Sequence, residues 1–401
     1  MQGNEYFDFD GFQATIDETQ QIFEYRFLVK KPLPDDCFIF EHFSNDEHFW
    51  PSGECPLVPG TQWTPGTYVH RTRQFLPKGQ YELFLGMTFP DSGARLHIDR
   101  TIDHRLSLGR VHIPLLDLAK AQAALAADTA WLSRLREGGF PLYLSPEQKV
   151  VAWPERGTSP HRVAVISVPK AGSYLLEKLL EQFGYRNCKL HLSISHINDY
   201  RNATMEQMLD VMRYIRASQT TQLVDRGQSI VGHILHCLEA KVALFDFKKI
   251  FVFRNLRDVV VSALRWGIRL KLYDSIVDLE SYPQGEQLAK YLKICGEERR
   301  QEYEAVIGWR DEADDVLKIS FEEIMGDYGR ERQADSVKAV ARHVEADMDD
   351  ATITQVMAKV IGADTMTFSG KRSQRDIYWN NEVERRFCEL GFDDLNRRLG
   401  Y

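Results

Sequence analysis

The sequence predicts an α/β fold, a parallel sheet with helices on both faces, preceded by a smaller all-β, sandwich-like domain. Three observations predict it. From His161 onward, short β-branched apolar runs alternate with helical stretches, the pattern of strands buried on both faces and joined by crossover helices. Before Ile113, apolar and polar residues alternate between closely spaced turn signals, as in short antiparallel strands. The chain has 401 residues and 43% hydrophobic content, enough to bury two cores.

The first domain is expected over residues 1–115. Segments 23–29 and 68–75 alternate in period two, and 81–89 follows the turn Pro77-Lys78-Gly79. Turn signals at Pro34-Asp35-Asp36, Pro59-Gly60, Pro65-Gly66 and Pro90-Asp91-Ser92-Gly93 recur at sandwich-like intervals. Residues 116–160 read as a helix (116–136, apolar at i, i+3 and i+4) and a Pro-, Gly- and Ser-containing linker (141–160) carrying Trp153. Over 161–401 the reading is strand 163–168, helix 174–183, helix 205–218, short strand 228–232, strand 249–253 and helix 259–266. A long helix 285–309, strand 316–320 and charged helices near 331–346 and 351–361 complete it.

A net charge of −8 argues against general nucleic-acid binding but leaves room for a local basic pocket. The six cysteines (Cys37, Cys55, Cys188, Cys237, Cys295, Cys388) show no Cys-x-x-Cys pair or regular spacing, so they read as reduced core residues rather than a disulfide frame or zinc site. Residues 1–10 are polar and acidic, unlike a secretory or mitochondrial leader, and no run of 18 apolar residues occurs. The expectation is a soluble, cytoplasmic protein.

Chemistry concentrates first at Val163-Ala164-Val165-Ile166-Ser167-Val168-Pro169-Lys170-Ala171-Gly172-Ser173-Tyr174-Leu175-Leu176. A buried strand breaks at Pro169 and passes directly into a helix. Gly172 permits a tight turn, the new helix offers unpaired N–H groups and its positive dipole end, and Lys170 adds a mobile charge. Such a loop is an anion cradle, most simply for phosphate. It is not a Walker A motif, which has two glycines with the lysine after the second. The bland alternative is an ordinary strand-to-helix turn with a surface lysine.

A second strand feeds a helix at Lys249-Ile250-Phe251-Val252-Phe253-Arg254-Asn255-Leu256-Arg257-Asp258-Val259-Val260-Val261-Ser262. Arg254 supplies a planar fork and Ser262 a short hydroxyl, and the two can converge on one phosphate. Asp258 reads as the cap of the helix start. The bland alternatives are a structural salt bridge for Arg254 and a solvent-facing Ser262. Two strand-to-helix anion sites in one sheet point to a ligand with two separated phosphates.

At this point the sequence resembles the sulfotransferases that use 3′-phosphoadenosine 5′-phosphosulfate (PAPS). Pro169-Lys170-Ala171-Gly172-Ser173-Tyr174-Leu175 is similar, in register, to their Pro-Lys-Ser-Gly-Thr-Thr-Trp loop. Arg254 to Ser262 keeps the spacing of their Arg-Asn-Pro-x-Asp-x-x-x-Ser motif. Leu317 to Ile324 resembles their strand followed by Tyr-Glu-Asp-Leu, and Phe368-Ser369-Gly370-Lys371-Arg372 with Tyr378-Trp379-Asn380 resembles their Arg-Lys-Gly and Gly-Asp-Trp region. The resemblance spans about 161–401 and implies a P-loop-like sulfotransferase domain with PAPS as donor. It implies donor contacts from Lys170, Ala171, Gly172, Ser173, Tyr174, Arg254, Ser262, Lys371 and Arg372. Leu175 stands where cytosolic members carry the adenine-stacking tryptophan, so Phe321 becomes the candidate ring. Gly370 precedes Lys371-Arg372 instead of following them.

The expected reaction moves a sulfuryl group to a hydroxyl or amine of an acceptor. Lys170 and the backbone N–H groups of 172–174 stabilise the leaving charge. Imidazole suits the base, and His233 is the choice, because Ser229-Ile230-Val231-Gly232-His233 resembles the family's strand ending in Thr-His-x-Pro. His191, His196 and His236 compete, as do the carboxylates Asp199 and Glu239. No metal is expected. In the first domain, Phe40, Phe43, Phe49, Trp50, Trp63 and Tyr68 either line a glycan-recognition face or fill the core. A glycan or glycolipid acceptor is the expectation drawn from the former. The alternatives are a nucleotide-dependent kinase and a catalytically inactive nucleotide- or glycan-binding protein on the same fold.

Overall fold

The structure, a computed structural model, describes residues 2–45, 49–54, 58–89, 94–99, 101, 103–128, 157–192, 197–199, 212–213, 216–272, 277–312, 315–361 and 374–401. The chain divides into two compact units. One comprises Met1–Val151, Arg213–Gln222 and Lys241–Phe245, and the other Ala152–Met212, Leu223–Ala240 and Asp246–Tyr401.

The first unit is built on strands β1 (Gln2–Gly3), β2 (Phe7–Ile16), β3 (Gln21–Val29), β4 (Phe38–Ser44), β5 (Phe49–Glu54), β6 (Gly66–Arg73), β7 (Gly79–Thr88) and β8 (Leu106–Ile113). They form two antiparallel sheets of order β1-β2-β3-β6 and β5-β4-β7-β8. Period-two alternation explains the packing: Phe23, Tyr25, Phe27 and Val29 of β3 are buried, while Arg26 and Leu28 face solvent. Phe7, Phe43, Trp63 and Leu83 join the same core. Glu41, 1% exposed, sits in it. A buried carboxylate needs donors, and it receives hydrogen bonds from the Tyr25 hydroxyl, the Thr72 hydroxyl and the Gln74 amide. Of the rings considered for a glycan face, Phe43 and Trp63 are core, Tyr68 packs against it, Phe40 is buried and Phe49 is exposed. The side chain of Trp50 lies outside the described residues. Helix α1 (Leu118–Ala127) follows, capped by Asp117, whose carboxylate accepts from the Ala119 and Lys120 N–H groups. The expected extension to 136, the linker and Trp153 lie outside the described residues.

The second unit holds β9 (Arg162–Ser167), β10 (Arg186–Leu192), β11 (Ile197–Asp199), β13 (Gln228–Gly232), β14 (Phe247–Phe253) and β15 (Val316–Ser320), and the sheet ends on β12 (Met212–Arg213). The sheet order is β12-β11-β10-β13-β9-β14-β15, parallel from β10 to β15, with β11 antiparallel to β10. The helix expected over 205–218 is corrected where it is described: 212–213 is strand, and only Ala217–Thr220 is helical. Strand β10 was not anticipated, because its run Arg186-Asn187-Cys188-Lys189-Leu190-His191-Leu192 buries Asn187 and His191 beside apolar residues.

Helices cover both faces. α2 (Ser173–Gln182), α6 (Arg330–His343) and α7 (Asp350–Val360) share a core with Val163, Val165, Ile250 and Val252. Ala164, Ile166, Phe251 and Phe253 on the alternate positions are buried too. α3 (Leu256–Arg269), α4 (Gln284–Ile307), α8 (Asn381–Glu389) and α9 (Phe392–Leu399) pack on one another, and the one-turn α5 (Phe321–Met325) follows β15 directly. None of the described helices is long and apolar enough to cross a membrane. Cys37, Cys188 and Cys295 are buried, but Cys237 and Cys388 are exposed, which corrects the core reading for those two; Cys55 lies outside the described residues.

The connectivity positions the site. After β9 the chain runs through α2 to β10 on one side, and after β14 it runs through α3 and α4 to β15 on the other. β9 and β14 are neighbours, with Val252 opposite Ser167. Their C-terminal ends therefore flank a topological switch point, where parallel sheets leave a crevice for ligands.

Candidate functional site

The loop after β9 enters α2 through a left-handed turn. Gly172 caps α2 with φ 102°, a conformation that side chains disfavour. Ala171, fully buried, donates its N–H to the Val168 carbonyl at 3.1 Å. Among the described residues, the backbone N–H groups of Gly172, Ser173 and Tyr174 have no acceptor, as expected for a helix N-terminus awaiting a ligand. Lys170 itself adopts φ 67°, in the left-handed region that a non-glycine residue seldom occupies. A Cβ on Gly172 would lie 2.5 Å from Cδ2 of Phe321. Gly172→Ala is therefore expected to cost about 2 kcal/mol in urea unfolding, from backbone strain plus displacement of that ring.

Lys170 is half-buried, its ammonium 4.0 Å from the centroid of the Trp266 ring. Burial, then Arg269, Arg254 and Arg265 in that order, push its pKa down to about 7. Among the described residues Lys170, Arg254 and Arg269 have no carboxylate within ion-pair distance. By contrast Arg257, Arg299, Arg300, Arg332 and Arg375 each pair with one. Converging cations without counter-charge repel one another, and a bound anion relieves that repulsion. The Lys170–Trp266 contact is worth about 0.5–2 kcal/mol, and a charge-assisted hydrogen bond about 1.5–3 kcal/mol, so an anion can draw the ammonium away from the ring.

The start of α3 differs from that of α2. Its side-chain cap is Asn255, whose Oδ1 accepts from the Arg257 N–H at 3.0 Å. This corrects the expectation that Asp258 caps the helix; Asp258 accepts from Arg375 at 2.8 Å instead. The Asn255 N–H donates to Glu322 at 3.1 Å and the Leu256 N–H to Asn396 at 2.7 Å. These backbone donors are occupied, so an anion here must be held by side chains. Arg257 is engaged by Glu384 and Asp393. Arg254 remains: it lies 4.5 Å from the Phe321 ring centroid, and its buried Nε has no partner. Ser262 is half-buried on α3, one turn before Trp266.

His233 follows β13, and its Nδ1 lies 3.0 Å from the Ser167 carbonyl and 3.2 Å from the Ser167 hydroxyl. A carbonyl only accepts, so Nδ1 carries the hydrogen, and in the neutral ring Nε2 is then the basic nitrogen. Its ring meets His191 edge to face at 4.7 Å, and His191, 4% exposed, lies 6.0 Å from the Tyr174 ring. Burial and then Glu177 push the Tyr174 phenol far up, so it stays protonated. His236 is structural: it pairs with Glu312 at 2.5 Å and packs edge-on against Trp309. Asp199 lies on β11 opposite Leu190, and Glu239 is on the short helix Leu238–Ala243. His196, Lys371 and Arg372 lie outside the described residues.

Three contributors escaped the sequence reading. Arg265, Trp266 and Arg269 sit at i+3, i+4 and i+7 from Ser262, so one stripe of α3 carries them toward Lys170. That spacing was the available signal. Phe321 has its ring between Gly172 and Arg254, with the guanidinium over it. Leu175 is 6% exposed within the apolar core, and Trp379 donates to Glu384 at 2.8 Å. Together the residues fit a ligand with two anionic groups, one on a backbone cradle and one on a side-chain fork. Among the described residues, no group of three or more His, Cys, Asp or Glu can hold a metal ion.

No family model matches the sequence, and no curated protein matches it. Solved structures similar to it include retinol dehydratase in complex with androsterone and the inactive cofactor PAP, 16% identical, covering 60% of this chain and 82% of that chain, with a TM-score of 0.41. Retinol dehydratase in complex with retinol and PAP is 14% identical over 60% and 82% of the two chains, with a TM-score of 0.39. The C-terminal domain of wzt is 12% identical over 28% and 77%, with a TM-score of 0.22. With TM-scores below 0.5, these likenesses carry no weight in assigning a function.

Proposed function

We propose that this protein is a PAPS-dependent sulfotransferase that moves a sulfuryl group to a hydroxyl or amine of an acceptor. The observation that carries the reading is the pair of half-sites at one switch point. One is the α2 N-terminus, with open N–H groups and the uncompensated Lys170; the other is Arg254, buried at Nε and without an ion-pair partner. Two separated anion sites of different construction suit a 3′,5′-bisphosphate better than a linear triphosphate chain. Of the rings that motivated a glycan acceptor, Phe43 and Trp63 are core and Tyr68 packs against it, so those three serve the fold.

The donor, when bound, supplies an activated sulfuryl group, whose sulfur forms a bond to the acceptor oxygen or nitrogen as its bond to the 5′-phosphate oxygen breaks and the electron pair stays on that oxygen. Lys170 and the N–H groups of 172–174 stand where that negative charge collects. Arg254 and Ser262 hold the far phosphate and fix the in-line geometry. The lone pair on Nε2 of His233 takes the acceptor proton, and Nδ1–H on the Ser167 carbonyl fixes the ring.

Calorimetry with 3′-phosphoadenosine 5′-phosphate and with ATP tests this reading. The bisphosphate is expected to bind at least about 100-fold more tightly. Preference for ATP would favour a kinase. Tight bisphosphate binding without transfer of labelled sulfate to any acceptor would favour the inactive binding protein.

A further inference from the structure

Phe321 opens α5 immediately after β15, and its direction is set by a capping box. The Ser320 hydroxyl accepts from the Glu323 N–H at 3.1 Å, and the Glu323 carboxylate accepts from the Ser320 N–H at 2.9 Å. The ring is thereby wedged between the two half-sites. One edge occupies the space a Cβ on Gly172 would need, and the Arg254 guanidinium lies over its face. Glu322, the next residue, accepts from the Asn255 N–H at 3.1 Å and from the Tyr401 hydroxyl. The Tyr401 ring meets Phe253 edge-on at 6.2 Å. Both chain neighbours of Arg254 are thus held, Phe253 by the Tyr401 ring and Asn255 by Glu322. The segment carrying Tyr401 is itself tied in: its N–H donates to the Asn396 carbonyl at 3.1 Å, and the Asn396 side chain accepts from Leu256 at 2.7 Å.

We propose that Glu322 and Tyr401 are positioning residues for the 3′-phosphate half-site, holding Phe321 as a spacer that sets the distance between the Gly172 cradle and Arg254. The proposal rests on the reading of the site as one for a 3′,5′-bisphosphate nucleotide. Both residues act through the chain neighbours of Arg254. They act because an arginine without an ion-pair partner has only packing and its backbone anchors to fix its fork, and bidentate phosphate recognition depends on that orientation. Burial and then Glu322 push the Tyr401 phenol far up, so it remains a donor over the working range. A ligand with only a 5′-phosphate lacks the group that Arg254 would hold, so its affinity does not depend on the orientation of that fork.

Calorimetry on Tyr401→Phe, which keeps the ring and removes the hydroxyl, tests this with two nucleotides. The affinity for 3′-phosphoadenosine 5′-phosphate is expected to fall about tenfold, while that for adenosine 5′-phosphate changes by less than about twofold. Glu322→Gln, which keeps the carbonyl acceptor, serves as the second variant and should show the same selective loss to a smaller degree. An equal loss for both nucleotides, or no loss for either, overturns the positioning role. Wild-type protein that binds the two nucleotides equally would overturn the bisphosphate reading, and this proposal with it.

Discussion

Lys170→Ala is expected to lower sulfuryl transfer by about a thousandfold, the upper end for removing one charge-stabilising donor from a preorganised site. The ammonium is the mobile charge at the cradle, and the remaining N–H groups of 172–174 cannot follow a moving charge. Single-turnover kinetics with labelled donor measures the effect, and a loss below about tenfold would remove Lys170 from the chemistry. A pH signature accompanies it. Burial and the arginines hold Lys170 near 7 in the free protein, so at about pH 8 the amine is mostly neutral. A bound anion supplies the missing counter-charge and raises that pKa. Binding of the bisphosphate at about pH 8 is then expected to take up close to one proton, and none through this group at about pH 6, where it is already charged. Affinity therefore falls as pH rises above 7. The stability sign is the reverse of that for a paired lysine. The depressed pKa costs stability at low pH, and the cost fades as pH rises from about 7 toward the unfolded value. Calorimetry in buffers of different ionisation enthalpy reads the proton uptake directly, and Lys170→Ala should abolish it.

His233→Ala is expected to lower kcat by about two to three orders of magnitude, within the range for a positioned acid or base. The affinity for the bisphosphate should change by less than about twofold, because a base acts on the acceptor and not on the nucleotide phosphates. This split between kcat and nucleotide binding separates a base from a structural histidine, whose loss would disturb both. The acid limb of the pH–rate profile should vanish in the variant, since that limb reports protonation of Nε2. Near-normal turnover would move the base elsewhere, to another of the competing histidines or to Asp199 or Glu239.

The strands that bear the site were legible because they are buried on both faces. Val163 to Ser167, Gln228 to Gly232 and Lys249 to Phe253 are nearly continuous apolar runs ending at chemically distinct residues. β10 was hidden for the opposite reason. It buries Asn187, Cys188 and His191, so its composition has no strand signature, and only its pairing with β13 makes it one. The cap of α3 was misread because Asn255 and Asp258 are both good capping residues. The choice was made by Arg375, which claims Asp258 from 117 positions away.

What the sequence determined by itself is the existence and order of two strand-to-helix turns and of the charged residues on them. A lysine and glycine at a strand-to-helix turn, and an arginine and serine at another, are set by local chain geometry and helical spacing. What only the tertiary structure decided is how those pieces differ and how far apart they stand. The α2 N–H groups are left open, while those at the start of α3 are taken by Glu322, Asn396 and Asn255. Phe321 packs under Arg254 because Gly172 leaves room for its ring. Those outcomes depend on contacts between residues far apart in the chain, such as Glu322 and Tyr401, 79 positions apart. No local pattern encodes such pairs, because burial and hydrogen-bond satisfaction are settled only when the elements pack.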